Sequence, residues 1–292
     1  PTVAFPNPEE QGALDLAIAL AREVGAELVI ANDPDADRLA VCVRQGDGYV
    51  QLTGNQLGVL LGHFVLDECT KGDDRLVVST VVSSPLLGVV ARGLGARFAE
   101  TLTGFKWITH EAMALEERER LRFVFGYEEA LGYTVGTLVR DKDGIGAAVA
   151  LLELAARCRA KGHDLLGELE RIHRRFGLFV SRQRSIGVQG DDAGARMAAL
   201  VETLRREPPR SLGGLAVTAR VDRKLLRRTL ADGTQSELRG PSSDVLSFEL
   251  EGSSRVVVRP SGTEPKVKIY VDVAEPVAAG EPMGAAEARP GL

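Results

Sequence analysis

The sequence is short of nearly everything that would mark a secreted, membrane-bound or nucleic-acid-binding chain. Three cysteines in 292 residues, Cys42, Cys69 and Cys158, lie far apart in apolar segments. That distribution argues against a disulfide or cysteine-metal framework and predicts buried, reduced thiols. The four histidines, His63, His110, His163 and His173, are scattered and show no metal-ligand spacing. Net charge is −5, and no Lys/Arg stripe is interleaved with aromatics, so general nucleic-acid affinity is excluded and any phosphate binding must be local. No apolar run reaches membrane-spanning length, and Thr2 to Phe5 read like the inside of a strand rather than a leader. A soluble protein in the cytoplasm is the expectation.

What is present suffices for two or three domains with proper cores, since 44% of residues are hydrophobic and 26% charged. Asn7 is placed to cap a helix with Pro8 first, Glu9 and Glu10 in its opening turn, and Leu14, Ala17, Ile18, Ala21 and Val24 on one face. A strand over Glu27–Ala31 and a hairpin of Leu39–Val43 with Tyr49–Thr53 follow. From about residue 55 the pattern alternates: helix from Gln56, strand Leu76–Thr80, helix near Pro85, strand Arg97–Leu102, strand Arg122–Phe125, and a long helix Ile145–Arg159. Alternation of this kind indicates an α/β domain. After a helix over Leu165–Arg175 the chain turns to strands around one helix, Ala193–Arg206, which reads as an α+β domain with an antiparallel sheet. The expected fold class is therefore a partial mixed α/β domain over 1–54, a complete α/β domain over 55–162 and the α+β domain over 163–274. The Ala/Gly/Pro/Glu tail, 275–292, is expected to be disordered.

Three loops carry the chemistry. "NDPDADR" sets Asp33, Asp35 and Asp37 at the end of a strand, and three alternating carboxylates turned toward one point need a cation. Hard oxygen donors suit Mg²⁺ or Ca²⁺ rather than zinc. The adjacent Arg38 adds a fixed positive charge suited to a phosphate. An EF-hand starting at Asp33 fails, because Arg38 and Arg44 stand where Gly and Glu are needed. A dehalogenase-type phosphatase using Asp33 as nucleophile stays open. "RPSGTEP" joins two strands and offers a guanidinium at Arg259, hydroxyls at Ser261 and Thr263, and a turn at Gly262 that aims backbone N–H groups at an anion. "GYEEALGY" places Glu128 and Glu129 after an apolar strand, where a carboxylate can accept hydrogen bonds from vicinal sugar hydroxyls. Thr103, Gly104 and Lys106 lie at a strand-to-helix turn favourable to anions, and Lys142 precedes the long helix. Ser83 and Ser84 read as a helix cap.

In this order the loops resemble the α-D-phosphohexomutase family of phosphoglucomutases, phosphomannomutases and relatives acting on pentose phosphates. The resemblance implies a Mg²⁺ site at Asp33, Asp35 and Asp37 and a phosphoryl contact at Arg38. It implies a sugar-hydroxyl acceptor at Glu128, a sugar site lined by Thr103 and Gly104, and a phosphate clamp of Arg259, Ser261, Gly262 and Thr263. Lys142 matches an active-site lysine that contacts phosphate or assists proton transfer. Implied substrates are glucose 1-phosphate and glucose 6-phosphate, exchanged through glucose 1,6-bisphosphate, with mannose or pentose phosphates as alternatives. Two departures stand out. The family's Thr-Ala-Ser-His-Asn-Pro-like loop, which carries the phosphoserine, has no counterpart here, so the expectation is a parent enzyme of which this piece alone is inactive. Ala130 occupies a position where many relatives have Ser. A phosphosugar-binding module without catalysis is the alternative of another class.

Overall fold

The computed structural model describes residues 3, 6–187, 192–261, 266–278, 280–281, 283 and 286. Contacts divide the chain into two compact units, Pro1–Phe176 and Gly177–Leu292. No helix among the described residues is long and apolar enough to cross a membrane.

The first unit opens with helix α1 (Asp15–Val24) and a sheet of β1 (Leu28–Asn32), β2 (Leu39–Gln45) and β3 (Gly48–Gln51), antiparallel throughout. α1 starts later than expected because Gly12 takes φ 87°, outside the range a right-handed helix allows. Asn7 still accepts a hydrogen bond from Glu9 N–H at 3.1 Å, but turns separate it from α1. Helix α2 (Gly54–Phe64) begins on a capping box of Thr53 and Gln56 and runs into a π-helical turn, Val65–Cys69. Next come β4 (Arg75–Thr80), α3 (Leu86–Gly93), β5 (Arg97–Thr101), α4 (Phe105–Glu119), β6 (Arg122–Glu128), β7 (Gly132–Val135), α5 (Gly144–Ala160) and α6 (Leu165–Phe176).

β4 runs parallel to both β5 and β6, and β7 closes the edge antiparallel, giving the order β5-β4-β6-β7. Every residue of β4 is buried, as a parallel strand covered on both faces requires. Consecutive Leu76 and Val77 face Phe123 and Phe125, so Val124 is an extra residue in β6. That bulge turns Phe123 toward α4, where it joins Leu76, Val78, Ile108 and Leu115, while Phe125 and Tyr127 face α2. On α2, Gly54, Gly58 and Gly62 form a ridge without side chains. A Cβ on Gly58 would lie 2.3 Å from the Tyr127 ring, and one on Gly62 would lie 2.5 Å from Leu87. Close approach of this helix to β6 and α3 therefore demands glycine.

α6 packs on α2, α3 and α5 within this first unit, whereas the sequence reading opened the last domain at 163. Its buried face of Leu165, Leu169 and Ile172 explains the difference. Cys42 and Cys158 are buried free thiols, but Cys69 is exposed, because it ends the π-helical turn. Of the expected Ser83/Ser84 cap, Ser84 makes the bond, its Oγ accepting from Leu86 N–H at 3.4 Å, while Ser83 Oγ lies 2.8 Å from Thr80 Oγ1 instead.

The second unit is an antiparallel sheet with the path β12-β11-β10-β13-β14-β15-β8. Its elements are β8 (Leu178–Gly187), α7 (Ala193–Arg206), β9 (Ser211–Leu212), β10 (Leu215–Asp222), β11 (Arg227–Leu230), β12 (Gln235–Glu237), β13 (Leu246–Leu250), β14 (Arg255–Pro260) and β15 (Lys266–Glu275). α7 buries Met197 and Val201 against Val258 and Val267. In the meander β10-β11-β12, the sequence shows β10 but not β11 and β12, which are short and rich in polar residues. Glu275 ends β15, and most of the expected tail lies outside the described residues.

Candidate functional site

The aspartate loop is the connection between β1 and β2. Their register pairs Asn32 with Leu39, leaving residues 33–38 to turn back over the sheet end. Ala36 takes φ 58°, and its N–H bonds to Asp33 C=O at 2.9 Å. This tight turn brings one oxygen each of Asp33, Asp35 and Asp37 within 4.8 Å of one another. Three carboxylates so close, with oxygen donors only, fit a hard divalent cation.

Arg38 organises the loop. Its backbone N–H donates to Asp33 Oδ1 at 3.0 Å and its Nε to Asp33 Oδ2 at 2.7 Å. Its Nη1 donates to Asn7 Oδ1 at 3.2 Å. Burial pushes the Asp33 carboxyl up, but the hydrogen bonds and charge of Arg38 outweigh it and hold the group below the ordinary range. The Arg38 main chain also forms an isolated antiparallel bridge with Gly132, and Leu39 N–H bonds to Leu131 C=O at 3.1 Å. Backbone pairing thus seats the aspartate loop beside the glutamate loop that links β6 to β7.

Lys142 joins the two. Its Nζ lies 3.1 Å from Asp37 Oδ2 and 3.1 Å from Asp141 Oδ1, and 5.7 Å from the centre of the Phe105 ring. Burial alone would lower its pKa, but the two aspartates raise it, so the lysine is held cationic. α5 begins directly behind it, where a Cβ on Gly144 would meet Arg38 O at 2.4 Å. Asp143 caps that helix by accepting from Gly146 N–H at 2.8 Å.

Glu128 ends β6 in the same neighbourhood. Burial, then the adjacent Glu129 charge, pushes its carboxyl up to about 7, against the opposing pull of Lys142 and a hydrogen bond from Gly104 N–H. Glu128 and Lys142 pack over Gly132, where a Cβ would lie 2.9 Å from Glu128 Cγ and 2.8 Å from Lys142 Cδ. Gly104, with φ 107°, starts α4, and Thr103 precedes it, partly buried. Lys106 is exposed and stands 5.4 Å over the Trp107 ring.

The fold therefore brings together Asp33, Asp35, Asp37, Arg38, Gly104, Glu128 and Lys142 in the first unit. Arg259 and Ser261 belong to the second, at the β14 end of the β14–β15 hairpin. Arg259 pairs with Lys268, and Ser261 N–H donates to Lys266 C=O at 2.8 Å. Gly262 and Thr263 lie outside the described residues.

Sequence reasoning missed a supporting group. Glu129 Oε2 accepts from Thr80 Oγ1 at 3.3 Å and from Ser83 Oγ at 3.4 Å. Asn55 Oδ1 accepts from Ser84 N–H at 2.8 Å and from the Tyr127 hydroxyl at 3.2 Å. Nothing in their local pattern marks Thr80 or Asn55. The serines beside Pro85 did carry a polar signal, but it pointed to a cap.

Three matches to family models bear on this arrangement. Residues 1–46 match phosphoglucomutase/phosphomannomutase alpha/beta/alpha domain II, 53–172 match domain III of the same family, and 218–283 match its C-terminal domain. The chain belongs to the phosphoglucomutase/phosphomannomutase family. A Haemophilus influenzae protein named "Probable phosphomannomutase" is 41% identical over 93% of this chain and 51% of its own length. A Schizosaccharomyces pombe protein named "Probable phosphoribomutase" is 38% identical over 93% of this chain and 47% of its own length. A Staphylococcus aureus phosphoglucomutase is 33% identical over 93% of this chain and 49% of its own length. The chain spans about half the length of the curated relatives it matches. In fold it is similar to the open form of Paramecium parafusin, a phosphoglucomutase, with TM-score 0.67, 22% identity and coverage of 96% of this chain and 48% of that one.

Proposed function

We propose that this family member supplies the cation-binding, sugar-binding and distal-phosphate-binding parts of a mutase that interconverts glucose 1-phosphate and glucose 6-phosphate through glucose 1,6-bisphosphate. The convergence of Asp37, Lys142 and Glu128 carries the reading. It puts a dication loop, a fixed cation and a partly buried hydroxyl acceptor around one spot, as phosphoryl transfer between sugar hydroxyls requires.

Asp33, Asp35 and Asp37 would hold Mg²⁺, whose chemistry is to offset charge on a transferring phosphoryl group. Arg38, kept in place by Asp33 and Asn7, and Lys142, kept cationic by Asp37 and Asp141, contact the phosphoryl oxygens. Glu128, steadied by Gly104 N–H, accepts from sugar hydroxyls in a site that Thr103 also lines. Arg259, Ser261, Gly262 and Thr263 grip the phosphate that is not reacting. No counterpart of the family's phosphoserine loop occurs in the 292 residues, so the chain by itself binds sugar phosphate without turning it over.

Both oxygens of Asp33 are engaged by Arg38, which argues against Asp33 as the nucleophile of a phosphatase. The names of the relatives favour a second reading of the sugar, since proteins at 41% and 38% identity are named for mannose and ribose. Calorimetry with glucose 1-phosphate and Mg²⁺, with mannose 1-phosphate and ribose 1-phosphate as competitors, tests both readings. Binding weakened by Arg259→Ala is expected. No binding, or binding indifferent to that change, overturns the clamp, and turnover with a bisphosphate primer overturns the dependence on an outside phosphoserine.

A further inference from the structure

A second cluster of metal-ligating side chains lies among helices α2, α5 and α6, and the reading above does not use it. Cys158 sits in the last turn of α5, His163 in the short connection and Glu168 in the first turn of α6. Their spacing in the sequence carries no familiar signature. In the fold, a ligand atom from each lies within 4.8 Å of the others.

The cluster is built rather than casual. His163 N–H donates to Cys158 C=O at 3.1 Å, and Glu168 N–H donates to Asp164 C=O at 3.0 Å. Gly167 N–H donates to Asp164 Oδ1 at 2.7 Å, so the backbone on both sides of His163 is pinned. His163 Nε2 lies 2.8 Å from Glu168 Oε2. His63 Nδ1, from α2, lies 3.6 Å from the other oxygen, Oε1. Arg171 Nε stands 3.5 Å from Oε2. Cys158 and Glu168 are buried, and His163 lines a surface pocket with Ala155, Arg159 and Leu165 that gives solvent access.

A carboxylate between two imidazoles satisfies itself and needs no thiol. The sulfur beside it adds a soft donor, and thiolate, imidazole and carboxylate together are the set that a borderline divalent ion of the zinc class takes. The aspartate loop, with oxygen donors only, selects hard cations instead. The two sites differ in chemistry as well as in place.

We propose that Cys158, His163 and Glu168 form a zinc-class metal site, with His63 holding the Glu168 carboxylate in orientation and a water completing the coordination. Binding forms the metal–sulfur bond as the thiol proton passes to solvent. The ion then ties the end of α5 to the start of α6. Stabilisation by mass action follows, because the unfolded chain does not hold the three ligands together.

The test is Co²⁺ titration of the metal-stripped 292-residue chain, read by near-ultraviolet thiolate-to-cobalt charge-transfer absorption, with Zn²⁺ as competitor. One thiolate-bound cobalt per chain is expected, displaced by Zn²⁺, together with a rise in Tm of at least about 3 °C on adding Zn²⁺. Cys158→Ser abolishes the absorption, and His163→Gln, at a partly exposed position, weakens binding at least ~100-fold. Asp35→Asn leaves both readouts unchanged, which separates this site from the aspartate loop. Should Cys158→Ser not fold by circular dichroism, His163→Gln decides alone. Absence of the absorption in the unsubstituted chain, its persistence in Cys158→Ser through the exposed Cys69, or its indifference to His163→Gln would each overturn the proposal.

Discussion

Lys142 Nζ stands 3.1 Å from Asp37 Oδ2, joining the loop after β1 to the segment that leads into α5. The pair is partly buried, so its electrostatics are screened less than those of a surface contact. Lys142→Met should weaken glucose 1-phosphate binding about tenfold or more, equivalent to ~1.4 kcal/mol, with little change in Tm. Calorimetry beside thermal melting checks this, and unchanged affinity would reduce the pair to an ordinary ion pair.

Glu128 makes a pH-dependent contribution of definite sign. Its carboxyl is raised from 4.5 to about 7 in the folded state, so the unfolded chain releases this proton first as pH rises. Stability is therefore lost between about pH 4.5 and 7 and stays low above that. Glu128→Gln removes the loss, and its Tm should gain on that of the unsubstituted chain as pH goes from about 5 to 8. Sugar-phosphate binding should strengthen through about pH 7, as the accepting carboxylate forms, and flatten in the Gln variant.

Asp35 is the exposed member of the carboxylate triplet. Asp35→Asn should leave Tm unchanged in chelator. With Mg²⁺ at ~100 times the dissociation constant, the unsubstituted chain gains about 2.7 kcal/mol, and the variant should gain much less. A Mg²⁺ series of melting curves reads the difference, and equal gains would remove Asp35 from the site.

The glycine ridge on α2 predicts an overpacking cost. A Cβ on Gly58 would lie 2.3 Å from the Tyr127 ring, so Gly58→Ala should destabilise by about 1–3 kcal/mol in urea unfolding. Combining it with Tyr127→Leu should give a cost below the sum of the two. Simple additivity would mean that the helix yields rather than the ring.

The aspartate loop was legible because its chemistry is local: three carboxylates and an arginine within six positions of a strand end. The alternation of strands and helices from Leu76 to Ala160 was legible for the same reason, each element carrying its own periodicity. Contacts that depend on distant parts of the chain were not. Nothing near Asp37 announces Lys142, and nothing near Asn7 announces Arg38, whose Nη1 it accepts at 3.2 Å. The start of α1 was misplaced because the apolar periodicity does not show that Gly12 takes a left-handed backbone conformation. α6 was assigned to the wrong unit because periodicity shows that a helix has a buried face, not which partner buries it. The gathering of His163 with Cys158 and Glu168 was hidden similarly, since a turn between two helices folds an unremarkable spacing into one cluster.

The bridge between Arg38 and Gly132 bears on how this architecture can change. Because the two loops are fastened main chain to main chain, the span from the aspartate triplet to Glu128 is written in backbone, which substitution alters least. On the function proposed above, side chains from Glu128 to Ala130 can be exchanged to suit another sugar while the aspartate triplet keeps its station. Relatives named for mannose, ribose and glucose are the variety such a joint permits.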